Sequence, residues 1–211
     1  LSMIDRLGDM IEAGVMSFEI EGRMKSPEYV ATVVSIYRKY IDEYYARGKY
    51  TVSDEDRETL LQAFNRDGFS EGYLEGDPGE ALMTSGISKN TGIYVGRVVK
   101  NSGNGIYAEV SAAREIRMHD VLEIRGGSDS TSFKVTSIKK TPSGTVMLGD
   151  LKESVVKGDK VYRLISEELM ENSRAIASAM RRVPVDIFVL AKVGEPLKLT
   201  VKDPLSGVSF A

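Results

Sequence analysis

The chain has 211 residues, 42% of them apolar and 28% charged, and a formal net charge of −3. That composition is globular; it excludes collagen, coiled coil and wholesale disorder, and the length allows one large domain or two small ones. Cysteine is absent and His119 is the single histidine, so disulfides, thiol nucleophiles, Cys-ligated metals and multi-histidine sites are excluded within the chain.

The elements are predicted in chain order as follows. Ile4, Leu7 and Ile11 recur at helical spacing, with Gly14 where a helix C-terminal glycine belongs. Ser17–Glu21 alternates polar and apolar, which reads as a short strand, and residues 22–25 form a loop. Ser26-Pro27-Glu28 is a helix start: a hydroxyl cap, proline at the first position and an acid in the first turn. Val30, Val33, Val34, Tyr37, Ile41 and Tyr44 then share one face of a helix that ends near Gly48. Another helix opens at Ser53, with Asp56 three residues on, and carries Leu60, Leu61 and Phe64. From 69 to 90, Gly72, Gly76, Pro78, Gly79 and Gly86 mark a connection and a candidate boundary.

From Thr91 the apolar period changes to two. Strands are predicted at 93–98, 106–110, 121–124, 133–138, 145–148 and 160–164, separated by glycine-bearing turns. Such spacing suggests a small closed or partly closed β-barrel. Ser166 caps a helix through about Met180, after which 185–190, 197–201 and 208–210 read as strands. The domain expectation is 1–87 helical, 88–166 β-barrel, and 167–211 a helix with the start of a further domain.

Several patterns bear on chemistry. Gly103-Asn104-Gly105-Ile106-Tyr107-Ala108 matches a loose dinucleotide fingerprint, but a strand rather than a helix follows it, so it reads as a hairpin turn. Glu19 and Glu21 share a face of their strand. Were that strand part of an α/β barrel, Glu21, Arg23 and Lys25 would project at its active-site rim, where a carboxylate beside two cations could orient substrate or accept a proton. A structural ion pair that fixes the loop is the plainer alternative. Tyr37, Tyr40 and Tyr44 form a stripe that suits a buried amphipathic face better than base stacking. His119 lies in a turn and suits a polar surface role.

Charge is unevenly placed. Residues 1–90 carry 10 Lys+Arg against 17 Asp+Glu, residues 91–165 carry 12 against 8, and residues 166–211 carry 6 against 6. A basic middle third hints weakly at an anionic partner, and with no basic run or aromatic-interleaved patch a normal solvated surface is the plainer explanation. No apolar run approaches the roughly 18 residues of a membrane helix, and no signal-peptide pattern opens the chain. The expectation is a cytoplasmic protein without a membrane partner.

The stretch Gly8–Gly14 through Ser17–Val30, which includes Phe18-Glu19-Ile20-Glu21-Gly22-Arg23-Met24-Lys25-Ser26-Pro27-Glu28-Tyr29, resembles the signature block of the collagenase-like peptidases, family thirty-two among peptidases of unknown catalytic type. Tyr37-Arg38, Ile41-Asp42, Phe64-Asn65-Arg66, Gly68-Phe69-Ser70 and Gly72-Tyr73-Leu74 continue it, and Lys89–Gly96 resembles the start of the β-domain of longer members. Glu19, where lysine is usual, and Asp67, where glycine is common, depart from the pattern.

The resemblance implies an α+β fold: a helical remnant of a TIM-type barrel with one strand, then a small elongation-factor-like β-barrel, then a helix and a truncated β-hairpin. It implies a C-terminal portion of a peptidase acting on peptide or protein, whose main catalytic region lies outside this chain. The alternative is an RNA-binding module of an RNA-hydroxylating enzyme. By the same resemblance Glu21 and Arg23 are candidate catalytic residues, and Lys25, Asn65 and Arg66 candidate substrate-binding residues. No cofactor is expected in this chain. The family's characteristic cysteines, thought to hold an iron–sulfur cluster in the full-length parent, are missing here.

Overall fold

The computed structural model describes residues 1–79, 89–102, 107–126, 129–151, 155–179 and 184–210. It is an α+β structure that divides into two compact units, Leu1–Ala177 and Ser178–Ala211.

The first unit opens with a 3-10 turn (Ile4–Arg6) that runs into α1 (Leu7–Glu12). Gly14, at φ +88°, ends it: the Gly14 N–H donates to Ile11 O and the Val15 N–H to Met10 O, both at 3.0 Å, a glycine-dependent helix stop. α2 (Pro27–Arg47) begins as predicted, with the Ser26 hydroxyl accepting from the Tyr29 N–H and Pro27 at the first position. It ends at Gly48, at φ +68°, whose N–H donates to Tyr44 O at 2.7 Å. α3 (Asp54–Ala63) is capped by Ser53, which accepts from the Asp56 N–H.

These helices pack through Ile4, Leu7, Val33, Ile36, Tyr40, Val52 and Leu60. Each fully buried side chain of this size contributes about 1.5–3 kcal/mol. The hydroxyl of Tyr50 donates to Ile4 O at 2.7 Å and accepts from the Leu7 N–H at 3.0 Å, fixing α1 to the segment after α2. The buried face of α2 is centred on Thr32, Val33, Ile36 and Tyr40, not on the full predicted set: Val30 and Val34 are exposed. They form a second apolar stripe that lines an open groove with Ile176 of α4 (Glu167–Ser178).

Residues 17–21 form no strand, which corrects the sequence expectation. Their burial still alternates, with Phe18 and Ile20 half-buried against the helical core and Ser17, Glu19 and Glu21 exposed. The chain is strand-like in its side-chain pattern, yet it pairs with no strand among the described residues. Alternation reports which side is covered; ladder formation needs a neighbour.

The sheet comprises β1 (Ile93–Ser102), β2 (Tyr107–Ala112), β3 (Val121–Gly126), β4 (Asp129–Lys134), β5 (Ile138–Lys140), β6 (Val146–Leu148) and β7 (Lys160–Ile165), in the antiparallel order β4-β3-β7-β1-β2-β6-β5. The predicted strand 133–138 is two strands. The break has a local cause: Val135 donates its N–H to Asp120 O and accepts from the His119 N–H, both at 2.8 Å, so the 117–120 turn takes its backbone groups. Val95, Val98, Ala108, Val110, Leu122, Ile124, Val135, Leu148 and Val161 fill the concave side. Gly103–Ile106, the loose dinucleotide match, lie outside the described residues, as do Gly86, Gly127 and Met180.

Helices and sheet are joined by buried polar groups. Gln62 donates to the carbonyls of Arg163 and Leu164. Thr32 on α2 and Ser173 on α4 share a hydrogen bond of 2.6 Å. Asp120, fully buried, accepts from the N–H groups of Arg117 and Glu167 and so caps α4 from the sheet side. Gly92, at φ +64°, lies so close to Arg163 that a Cβ there would sit 2.3 Å from the Arg163 carbonyl oxygen. Only glycine lets this segment cross β7.

The second unit is a three-stranded antiparallel sheet in the order β10-β9-β8, made of β8 (Asp186–Leu190), β9 (Lys198–Lys202) and β10 (Ser209–Phe210). Ile187, Phe188, Val189 and Leu190 are all exposed. Among the described residues no helix is long and apolar enough to cross a membrane.

Candidate functional site

Residues 22–25 form a turn closed by the Lys25 N–H donating to Gly22 O at 2.9 Å, with Met24 at φ +65°. The turn hands the chain to the Ser26 cap of α2, so the position of Lys25 is set by a helix start. Glu21 and Arg23 are exposed, and the Glu21 carboxylate accepts from the Arg23 N–H. That contact shapes the loop. No hydrogen bond joins either side chain to a nucleophile among the described residues.

Lys25 is half-buried. Its Nζ lies 3.1 Å from the centroid of the Phe64 ring and 5.7 Å from that of Tyr29. Tyr29 and Phe64 meet edge to face, with centroids 6.4 Å apart. The Arg66 guanidinium carbon is 5.6 Å from the same Phe64 ring. Two cations therefore share one aromatic ring, whose negative face attracts them. Lys25 makes no ion pair among the described residues. Burial, and then the Arg66 charge, hold its pKa below the ordinary lysine value. Burial, with Tyr37 and Glu21 nearby, raises the Tyr29 phenol.

The ring is presented by the end of α3. Phe64 is the first residue past the helix, extended at φ −172°, with its N–H still bonded to Leu60 O. Asn65, next along, is buried and spent on structure. Its Nδ2 donates to Leu61 O at 2.8 Å and Gly92 O at 3.0 Å, and its Oδ1 accepts from the Gly68 N–H at 3.1 Å. Those bonds leave the Asn65 amide without a free group to offer a substrate, against the role the resemblance implies for it. They lock Arg66 and Asp67 in place, and Asp67 sits at φ +66°, a left-handed conformation that glycine would adopt without strain.

The structure thus brings Lys25 and Arg66 together, leaves Glu21 and Arg23 exposed on the loop, and assigns Asn65 to the junction. The sequence reading missed Phe64 and Tyr29 as the platform. Tyr29 is close to Lys25 in the chain, but Phe64 is remote from both, so no local spacing signals the ring. Lys25 also borders an open apolar groove of about 600 Å³ with Pro27, Val30, Val34, Arg38 and Ile176.

Chemically, the cluster is suited to an anion. A phosphate or carboxylate beside Lys25 and Arg66 would relieve the repulsion between the two cations and gain charge-assisted hydrogen bonds. The chain has no cysteine, and among the described residues no group of three His, Cys, Asp or Glu side chains could hold a metal ion. The iron–sulfur cluster that the resemblance implies for a longer parent finds no ligands here.

The sequence profile of Peptidase family U32 matches residues 1–84. The chain is 43% identical over 102 residues to tRNA hydroxylation protein P1 of Bacillus subtilis, covering 47% of this chain and 24% of that protein. It is 32% identical over 182 residues to a collagenase of Porphyromonas gingivalis, covering 80% of this chain and 43% of that protein. It is 27% identical over 142 residues to the 23S rRNA 5-hydroxycytidine C2501 synthase of Escherichia coli, covering 64% of this chain and 21% of that protein. The chain therefore spans less than half the length of each of these relatives. No solved structure matches it.

Proposed function

Since the chain belongs to peptidase family U32 through residues 1–84, we propose that it is the RNA-engaging part of a U32-family RNA-hydroxylating protein. An anionic group of the RNA sits between Lys25 and Arg66 on the Phe64–Tyr29 platform. The observation that carries this reading is the paired cations on one ring, with no carboxylate ion-paired to Lys25 among the described residues. Phosphate is the anion RNA supplies at every nucleotide, and aromatic rings beside cations suit its bases. Relatives named for tRNA and rRNA hydroxylation support the substrate class.

A second reading, a peptidase with Glu21 and Arg23 at its active rim, is favoured by the collagenase relative, which matches 80% of the chain. There the same cations would take a peptide carboxylate.

The test is RNA binding by the intact chain, followed by fluorescence anisotropy with a transfer-RNA-sized transcript. Lys25→Ala with Arg66→Ala is expected to weaken binding roughly tenfold or more, the worth of one or two charge-assisted hydrogen bonds. Unaltered affinity overturns the assignment. Gelatin cleavage that depends on Glu21 and tolerates loss of Lys25 would establish the second reading in its place.

A further inference from the structure

The register of the sheet places three cations in one row. Arg125 on β3 lies directly opposite Lys160 on β7, and Lys160 lies opposite Arg97 on β1, which in turn faces Ser111 on β2. Directly opposite residues share a face of the sheet. This is the outward face, because their chain neighbours Ile124, Val161 and Val98 are buried on the concave side. Like charges set opposite one another destabilise a sheet; Arg125 is compensated by its ion pair with Glu123 and its bond to the Thr91 carbonyl, which leaves the facing pair Arg97 and Lys160 as a cost to the fold.

The neighbouring acids cancel Arg125 but not Arg97 or Lys160. Glu123 is buried and is shared between Lys89, at 2.9 Å, and Arg125. The Asp159 carboxylate accepts from the Val156 N–H. Glu109 lies opposite Lys100 and accepts from the Thr145 hydroxyl. Among the described residues neither Arg97 nor Lys160 makes an ion pair, and both are exposed.

The next row along the same face is Glu123, Tyr162 and Tyr94, the glutamate buried under Lys89 and Arg125. Tyr162 lies opposite Tyr94, with ring centroids 5.9 Å apart in an edge-to-face arrangement. The Arg125 guanidinium covers the Tyr162 ring at 4.0 Å, and Tyr94 is 37% exposed. A line of cations that tracks a backbone, beside rings on which bases stack, is the arrangement by which sheets hold single-stranded nucleic acid.

We infer that the outward face of β3, β7 and β1 is a second RNA contact surface, with Arg97 and Lys160 on phosphates and Tyr94 stacking on a base. The inference rests on the RNA reading above and adds to it a surface remote in sequence from Lys25 and Arg66. Charge complementarity selects the occupant: a polyanion relieves the repulsion along the row, and the tyrosines favour one whose bases are unpaired.

The experiment measures binding of the intact chain to a labelled single-stranded RNA of about 20 nucleotides, long enough to cross one such surface, over a range of salt concentration. Arg97→Ala with Lys160→Ala is expected to lower the slope of log affinity against log salt by about one for each phosphate contact removed. The same pair is expected to leave the thermal midpoint unchanged or raised, because it removes repulsion. Tyr94→Ala is expected to weaken the single strand about tenfold and a duplex of the same length much less. If the single strand binds and these variants change neither affinity nor slope, while Lys25→Ala with Arg66→Ala still weakens the transcript, this surface is refuted and the Lys25 site stands. If the chain binds the transcript and not the single strand, the surface is likewise refuted. If it binds no RNA, both fall.

Discussion

In residues 1–79 cations are spent on neighbours. Arg57 forks onto Asp5 at 2.6 and 2.8 Å, Arg6 reaches Asp9, Glu71 and Glu75, Lys39 reaches Asp56, and Arg38 and Arg47 each pair with an acid one turn away. On the sheet of residues 89–165, Arg97 and Lys160 face each other across β1 and β7 with no such partner among the described residues. Those cations of the helical region are therefore compensated locally, whereas part of the basic excess of the sheet is surplus. Lys25 breaks the helical pattern: its neighbours are rings and another cation. Lys25, Arg97 and Lys160, among the proposed RNA contacts, make no ion pair among the described residues.

The comparison can be broken at the junction, where the largest effect is expected. Asn65 binds both regions, and Asn65→Ala leaves the Leu61 and Gly92 carbonyls and the Gly68 N–H without this partner. Each buried group left unpaired costs about 1–3 kcal/mol. Calorimetry of the variant should show helices and sheet losing stability together; a sheet transition that stays in place would mean that the two regions are energetically independent.

A pH series sharpens the contrast between paired and surplus charge. Burial pushes the Glu123 carboxyl upward, but hydrogen bonds from Lys89 and Arg125 outweigh it and hold the pKa below the ordinary glutamate value. A depressed folded pKa binds fewer protons than the unfolded chain, so the stabilisation is complete above the unfolded value, about 4.3, and is lost as pH falls through the folded one. Glu123→Gln should therefore flatten the acid limb of the stability profile. An unchanged limb would remove Glu123 from the account. The smallest effect is expected at Asp67, held at φ +66°. Asp67→Gly relieves the left-handed backbone and raises chain entropy when unfolded, so denaturant titration should show a change below about 1 kcal/mol.

Much of this was legible in the sequence because the signals were local. Ser26-Pro27, Ser53 and Gly48 bound their helices where cap chemistry says they should, and alternation in residues 93–165 located the strands. Alternation at 17–21 reports which side is covered, but no strand forms there among the described residues, since pairing depends on a neighbour the local pattern does not contain. The break after Lys134 was hidden for a related reason: the 117–120 turn that captures Val135 is distant in the chain. Lys25 came from the loop charges beside Glu21 and Arg23 and Arg66 from the resemblance, but the Phe64 ring that joins them, and the Arg125–Lys160–Arg97 row, exist only once the elements are packed and the register is set.

The most direct test is the salt dependence of RNA affinity for the unaltered chain. The account predicts measurable binding that falls steeply and linearly on logarithmic axes as salt rises, because several phosphates are neutralised at once. Absence of binding at low salt, or an affinity indifferent to salt, would contradict it.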